Sequence, residues 1–96
     1  MSDSPASPFS VPSNMAVITT RQVVRQGMPI LSVWHDADDG GWQFLCGTTN
    51  ADEDAMLVAL REVLEHDPSV AEVADLPPGW VAWRAGPASE WERSRQ

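Results

Sequence analysis

The spacing of apolar residues changes along the chain and divides it into short elements. Residues 15–20 are apolar or β-branched, which predicts a first strand. Residues 20–27 predict a single helical turn, which Thr20 caps and Gly27 ends, with the two valines inside it turned inward. The apolar run 30–34 follows a proline and predicts a second strand.

The next predicted elements begin with a hairpin. Residues 36–41 are rich in turn formers, and the run 42–46 after them has the composition of a third strand. We therefore predict that strands two and three pair in the antiparallel direction. A fourth strand is predicted at 80–84, after the breaker Pro77-Pro78-Gly79. Residues 88–93 fit either a last strand or a helical turn.

One longer helix is predicted between the third and fourth strands. Residues 50–53 have the spacing of a capping box, with Asp52 as a competing N-cap. The helix extends to about His66, where Asp67-Pro68 stops it, because proline disfavours helical geometry in the residue before it. Its apolar face consists of Met56, Leu57, Leu60, Val63 and Leu64.

These elements together predict an α+β fold. A small antiparallel sheet of about four strands would pack on one main helix, with a short extra helical turn. The chain has 96 residues, which suits one domain, and we assign that domain to residues 15–92. Residues 1–14 are rich in Pro and Ser and are expected to form a disordered tail. Residues 93–96 are expected to be a loose C-terminus.

Charge adds information about partners and location. The chain has 14 acidic residues, six arginines and no lysine, for a net charge of −8. Phosphate backbones are bound by clustered basic residues, so we expect no nucleic-acid partner and no anionic membrane surface. The charge favours a basic protein partner. The chain shows no signal peptide and no apolar run near the roughly 20 residues of a membrane span, so we expect a cytoplasmic protein.

The common catalytic and metal-binding motifs are not found in the sequence. His35, Cys46 and His66 do not have the spacing of metal ligands, and a single cysteine cannot form an internal disulfide. The acidic turn at 36–41 is not followed by the Glu that an EF-hand calcium loop requires. We therefore predict no catalytic residue, no metal, no cofactor and no enzymatic activity.

The five tryptophans are the remaining candidates for function. A domain of 10.5 kDa cannot bury five indoles completely, and exposed Trp and Arg are enriched in binding hot spots. Strand alternation places Trp42 on the same face as Phe44 and Cys46, which favours a position in the core. It places Trp80 and Trp83 on opposite faces of their strand. The predicted partner-binding residues are Asp36, Asp38, Asp39, Trp42, Trp80, Trp83 and Arg84.

Four segments of the chain also match a family pattern. They are Thr20 to Gly27 with Pro29 and Ile30, Gly41-Trp42-Gln43-Phe44-Leu45-Cys46-Gly47, Asp67-Pro68-Ser69-Val70 and Pro78-Gly79-Trp80-Val81-Ala82-Trp83-Arg84. Through these segments, residues 17–91 resemble a small bacterial family, the domain of unknown function 2185, also called the immunity protein 33 family. The resemblance implies an immunity-like role, in which the protein binds and blocks a toxin. It implies no catalytic residues. The family pattern has acidic residues directly after its Trp-Phe-Gly segment, whereas Thr48-Thr49-Asn50 intervenes here.

The sequence supports three hypotheses about function. The first is a non-enzymatic, immunity-like domain that binds a basic partner, such as a toxin, through acidic residues and exposed tryptophans. The second is a small-ligand module or an uncharacterised enzyme with a Trp-lined pocket, which requires a concave site with convergent polar groups. The third is a homodimeric structural domain, because exposed apolar strands readily pair with a second copy.

Overall fold

The computed structural model describes residues 9, 11–46 and 52–96. Its strands are β1 (Ala16–Thr20), β2 (Ser32–His35), β3 (Trp42–Leu45), β4 (Ala55–Ala59), β5 (Trp80–Trp83) and β6 (Glu92–Arg95). Its α-helices are α1 (Arg21–Gln26) and α2 (Leu60–His66). Two segments of 3-10 helix, Asp52–Asp54 and Pro68–Val73, lie before β4 and after α2.

The six strands form one mixed sheet in the order β4-β1-β3-β2-β5-β6. The predicted hairpin is confirmed, because β2 and β3 pair in the antiparallel direction with Val33 opposite Phe44. The prediction of a purely antiparallel sheet of about four strands is wrong. β3 inserts between β2 and β1 and runs parallel to β1, with Ile18 opposite Gln43, and β4 and β6 add a strand at each edge.

The prediction of one main helix from the capping box at 50–53 to about His66 is also wrong. The segment forms a 3-10 turn, then β4, and only then the seven residues of α2. Met56 and Val58 point to the covered side of the sheet while Leu57 points away, which is the period of a strand. An apolar run this short fits both the helical and the strand period. Residues 55–59 form a strand because they pair with β1 over five residues, and this pairing supplies hydrogen-bond partners for the backbone groups of β1. Residues 50–51 of the predicted capping box lie outside the described residues.

The hydrophobic core lies between one face of the sheet and the helical segments. From the strands it receives Val17, Val33, Trp42, Phe44 and Ala82. From the helical segments it receives Val23, Leu60, Val63, Val70 and Val73. Every buried side chain of the helical segments that the structure describes belongs to this cluster. The fold is therefore a two-layer sandwich, in which the helices cover one face of the sheet.

Parts of both predicted tails belong to the domain. Phe9 is 3% exposed, and its ring meets the Trp42 ring edge-on with 4.8 Å between centroids. The predicted loose C-terminus instead forms most of β6, and the Gln96 amide donates to the carbonyls of His35 and Trp80 at 3.1 and 3.0 Å. The rest of the predicted N-terminal tail before Val11, residues 1–8 and 10, lies outside the described residues.

The predicted helical turn after the first strand is confirmed as α1. Gly27 ends it with φ of +70°, a left-handed conformation that suits glycine. The Thr20 side chain does not cap this helix, because its hydroxyl lies beside the Cys46 sulfur at 3.9 Å instead. Val23 is buried as predicted, but Val24 is 44% exposed.

Candidate protein-binding surface

The second face of the sheet carries large apolar side chains that no described helix covers. Side chains alternate along a strand, so every second strand residue points away from the core. We call the following set the open face: Ile18, Ser32, Trp34, Gln43, Leu45, Leu57, Val81 and Trp83. None of its apolar members belongs to the core cluster or packs against it. Leu57 and Trp83 are the most exposed, at 73% and 43%.

The strand registers align the open face into a band across the sheet. Leu57 of β4 lies opposite Ile18, which lies opposite Gln43 of β3. Trp34 of β2 then lies between Gln43 and Val81 of β5. Residues opposite one another on neighbouring strands are about 5 Å apart, so these side chains form a continuous surface. A continuous apolar surface of this kind is typical of a protein-binding site.

The charges of this face are acidic. Of the described strand residues that point this way, Glu92 is the one that is charged, and it lies opposite Trp83. Asp36 lies at the rim, where its carboxylate accepts a hydrogen bond from the Gln43 amide at 2.9 Å. Arg93, which alternates with Glu92 along β6, donates to the Asp75 carboxylate at 2.8 Å instead. A basic partner would therefore meet an apolar band with negative charge at its margin.

A shallow cleft of about 430 Å³ lies beside Trp83 at one end of this band. Glu90 and Glu92 line it, and neither carboxylate forms an ion pair with a described residue. A cation is attracted to the face of an indole ring, and a nearby carboxylate adds to that attraction. The cleft therefore has the chemistry to accept a lysine or arginine side chain over Trp83.

Arg84, which also borders this cleft, is buried and fully hydrogen-bonded. Its Nε and Nη2 donate to the Ile30 carbonyl at 3.0 and 2.8 Å, and Nη2 also donates to an Asp67 carboxylate oxygen at 2.8 Å. Its Nη1 donates to the Ser69 hydroxyl at 2.9 Å and the Pro87 carbonyl at 3.2 Å. All five N–H donors of the guanidinium are thus used inside the molecule. The structure does not present Arg84 to a partner.

The Arg84 network joins three of the segments that carry the family resemblance, through Ile30, Asp67 and Arg84 itself. The other oxygen of Asp67 accepts from the Ser69 amide at 3.1 Å and its hydroxyl at 2.5 Å, which caps the 3-10 segment after α2. The guanidinium also lies 4.2 Å from the centre of the Trp91 ring. The segments at 67–70 and 78–84 therefore meet at Arg84 and hold the end of β5 against the helical layer.

The other predicted tryptophans differ in their exposure. Trp42 is 2% exposed and stacks on His35 with 3.9 Å between ring centroids, so it belongs to the core. Its indole N–H is buried without a hydrogen-bond partner among the described residues. Trp80 is half-buried and packs against the core, whereas Trp83 points to the open face. The predicted separation of Trp80 from Trp83 is confirmed.

The predicted acidic residues remain together in the turn between β2 and β3. Asp38 and Asp39 are exposed, and the Asp39 carboxylate accepts from the Gly41 amide at 2.8 Å, which stabilises the turn itself. The turn follows the last residue of β2, while Trp83 lies opposite its first residue, Ser32. The structure therefore places Asp38 and Asp39 at the far end of β2 from Trp83, and of the predicted acidic residues Asp36 is the one at the rim of the open face.

Sequence reasoning missed several members of the open face as binding candidates. Its apolar members that were missed are Ile18, Trp34, Leu45, Leu57 and Val81. The sequence does show part of the open face, because Ser32 and Trp34 alternate with Val33 along one predicted strand and so share a face. Alternation separates the two faces of a strand, but it does not say which of them a helix covers. Leu57 could not be found in this way, because it was assigned to a helix.

A larger cleft, of about 680 Å³, lies on the helical side of the molecule near His35. The Nδ1–H of His35 donates to the Leu76 carbonyl at 2.7 Å. Glu72 and Asp75 also line this cleft. Of the three clefts described in this chain, none is lined by more than one tryptophan, so the hypothesis of a Trp-lined pocket gains no support. The described residues include no cluster of three or more potential metal ligands.

Searches of protein-family models, of curated proteins and of solved structures found no match to this chain. The resemblance to the immunity protein 33 family therefore stays a prediction from the segments quoted above. Within the described residues, no helix has both the length and the apolar character needed to cross a membrane.

Proposed function

We propose that this chain is a non-enzymatic protein-binding domain that binds a basic protein through the open face. The observation that carries the proposal is an apolar sheet face, uncovered by any described helix, whose charged neighbours are acidic. The net charge of −8 would steer a basic partner towards the domain, while the apolar band would supply the affinity. The family resemblance implies that this partner is a toxin.

Trp83 is the expected hot spot of this surface. It combines a large exposed indole with a cleft that contains two carboxylates, Glu90 and Glu92. A basic side chain of the partner would lie over the ring, and the partner's apolar residues would cover Val81 and Trp34 next to it. Truncation of a hot-spot tryptophan typically weakens binding by about 2 kcal/mol, which is roughly 30-fold in Kd.

The test compares the partners captured by the wild-type protein and by two variants. Trp83→Ala removes the hot spot, and Val24→Ala is the matched control, because Val24 is 44% exposed but lies on α1, on the helical side. We expect wild type and V24A to capture the same basic protein from the native host or among neighbouring gene products. The W83A variant should bind that protein roughly 30-fold more weakly in a titration.

Charge is tested separately with Glu90→Gln and Glu92→Gln combined. This variant should associate more slowly with the same partner and lose part of the salt dependence of the association rate. A partner that is acidic, or that binds W83A and wild type equally, would contradict the proposed function. The same holds for a partner whose association rate does not change between low and high salt.

A further inference from the structure

The two edges of the sheet differ in how they are protected from pairing with another chain. The edge strand β6 reads Glu92-Arg93-Ser94-Arg95, and three of its four residues are charged, which is a common protection against edge-to-edge pairing. The opposite edge, β4, reads Ala55-Met56-Leu57-Val58-Ala59 and contains no charge and no proline. Within the described residues, β4 is therefore the edge strand without charged side chains of its own, although the Glu62 carboxylate lies at its end on the Ala59 amide.

The backbone of Leu57 points out of this edge. The Leu60 amide donates to the Met15 carbonyl at 2.9 Å, and this pair continues the register in which Val58 lies opposite Val17. Hydrogen-bonded and non-hydrogen-bonded pairs alternate along an antiparallel ladder. Residues 56 and 58 therefore bond to β1, whereas the N–H and C=O of Leu57 face away from it. Consistent with this alternation, the Ala59 amide bonds to the Glu62 carboxylate and not to β1.

We propose that two copies of this chain pair through β4 as an antiparallel dimer centred on Leu57. The sequence of β4 is nearly symmetric about Leu57: both end residues, Ala55 and Ala59, are alanines, and Met56 and Val58 are both apolar. Pairing Leu57 with Leu57 of the second copy gives two hydrogen bonds, one from each N–H to the other C=O. The two leucine side chains then lie side by side on the same face and cover each other.

Charge around β4 supports a second copy as the occupant of this edge. Glu53 lies in the 3-10 segment just before β4 and Arg61 lies in α2 just after it, so antiparallel pairing brings Glu53 of one copy to the same end of the strand pair as Arg61 of the other, and two-fold symmetry repeats this. Both side chains are exposed, and no ion pair of either is described within the chain. The dimer would thus gain two favourable charge pairs at the ends of the strand pair, despite the net charge of −8 on each copy.

The dimer would also change the proposed binding surface. A two-fold axis perpendicular to the sheet places both open faces on the same side, with the Leu57 pair between them. The result is one continuous apolar surface with two copies of Trp83. The dimer rests on the edge of β4 and not on the proposed function, so it is tested on the isolated chain without any partner.

The test is sedimentation equilibrium over concentrations from about 1 µM to 1 mM. We expect the mass of the wild type to rise from 10.5 kDa towards twice that value. Leu57→Lys places like charges at the centre of the pair and should weaken the dimer more than about tenfold. The matched control is Val24→Lys, the same new side chain at another exposed apolar residue, which should dimerise as the wild type does. Glu53→Arg alone should weaken the dimer, and Glu53→Arg with Arg61→Glu should restore it.

Amide hydrogen exchange gives a second measurement on the unaltered chain. The Leu57 amide should exchange rapidly at low concentration and become protected as concentration rises, while the amides of residues 92–95 at the other edge do not change in this way. A wild type that stays monomeric at 1 mM overturns the dimer. So does a dimer that L57K does not weaken, because a different interface must then hold it together.

Discussion

Replacing Arg84 with alanine tests whether this residue stabilises the fold, as its contacts indicate, or serves binding, as its position beside Trp83 suggests. The guanidinium side chain is 2% exposed, and its Asp67 partner is 17% exposed. Arg84→Ala removes the donors that satisfy the Ile30 carbonyl and the Asp67 carboxylate, and both acceptors stay largely out of reach of water. It also removes the cation above the Trp91 ring.

The expected loss is large because a buried charge is left without its partner. Removing one member of a buried ion pair typically lowers the free energy of unfolding by 3–5 kcal/mol, that is about 4 kcal/mol. The five hydrogen bonds do not add separately, since they belong to one network. A domain of 96 residues has a total stability of roughly 5–14 kcal/mol. The melting temperature should therefore fall by at least about 12 °C.

The assay is urea unfolding of R84A followed by tryptophan fluorescence, with Arg93→Ala as the matched control. Arg93 forms an ion pair of the same length, 2.8 Å, with Asp75, but the two side chains are 36% and 76% exposed. An exposed pair of this kind contributes about 1 kcal/mol or less. Arg84→Lys should lose much of the stability too, because one ammonium group cannot make the same set of bonds. If R84A is no less stable than R93A, the structural role assigned to Arg84 is wrong.

Two further predictions concern local features of the fold. Phe9→Ala should lower the free energy of unfolding by about 3–4 kcal/mol in the same urea assay, because Phe9 is 3% exposed among Trp42 and Phe44. A loss below about 0.5 kcal/mol would show that the segment around Phe9 does not pack on the domain. Gly27→Ala should cost about 1 kcal/mol, because φ is +70° there although a Cβ would meet no atom within 4 Å. Gly86→Ala, where φ is not positive, is its control; an equal loss in both variants would argue against backbone strain at Gly27.

Local sequence patterns correctly predicted those structural features that depend only on neighbouring residues. The turn formers at 36–41 and the alternation on either side predicted the β2–β3 hairpin, and Gly27 predicted the end of α1. Both features depend on backbone conformations that particular residues favour within a few positions of one another. The opposite orientation of Trp80 and Trp83 followed from alternation alone.

Local patterns failed where distant residues decide the outcome. Residues 55–59 fit a helix face as well as a strand, and pairing with β1, about 40 residues earlier, selected the strand. Phe9 lies in a Pro- and Ser-rich segment that resembles a tail, yet Trp42 and Phe44 provide a place for its ring. The sequence also placed Arg84 among surface contacts, because nothing near it in the chain reveals Asp67 or the Ile30 carbonyl as its partners.

By itself, the sequence determined the acidic charge and the alternation of β2, β3 and β5, because these depend on composition and on neighbouring residues. Only the tertiary structure decided which alternating face is covered. The helices pack on the side that contains Trp42, and so Trp34 and Trp83 are left on the open face. The physical reason is that alternation makes the two faces of a strand different, but burial depends on which other elements pack against them. The tertiary structure also buries Arg84, which the sequence had predicted to be a binding residue, and gives it a structural role.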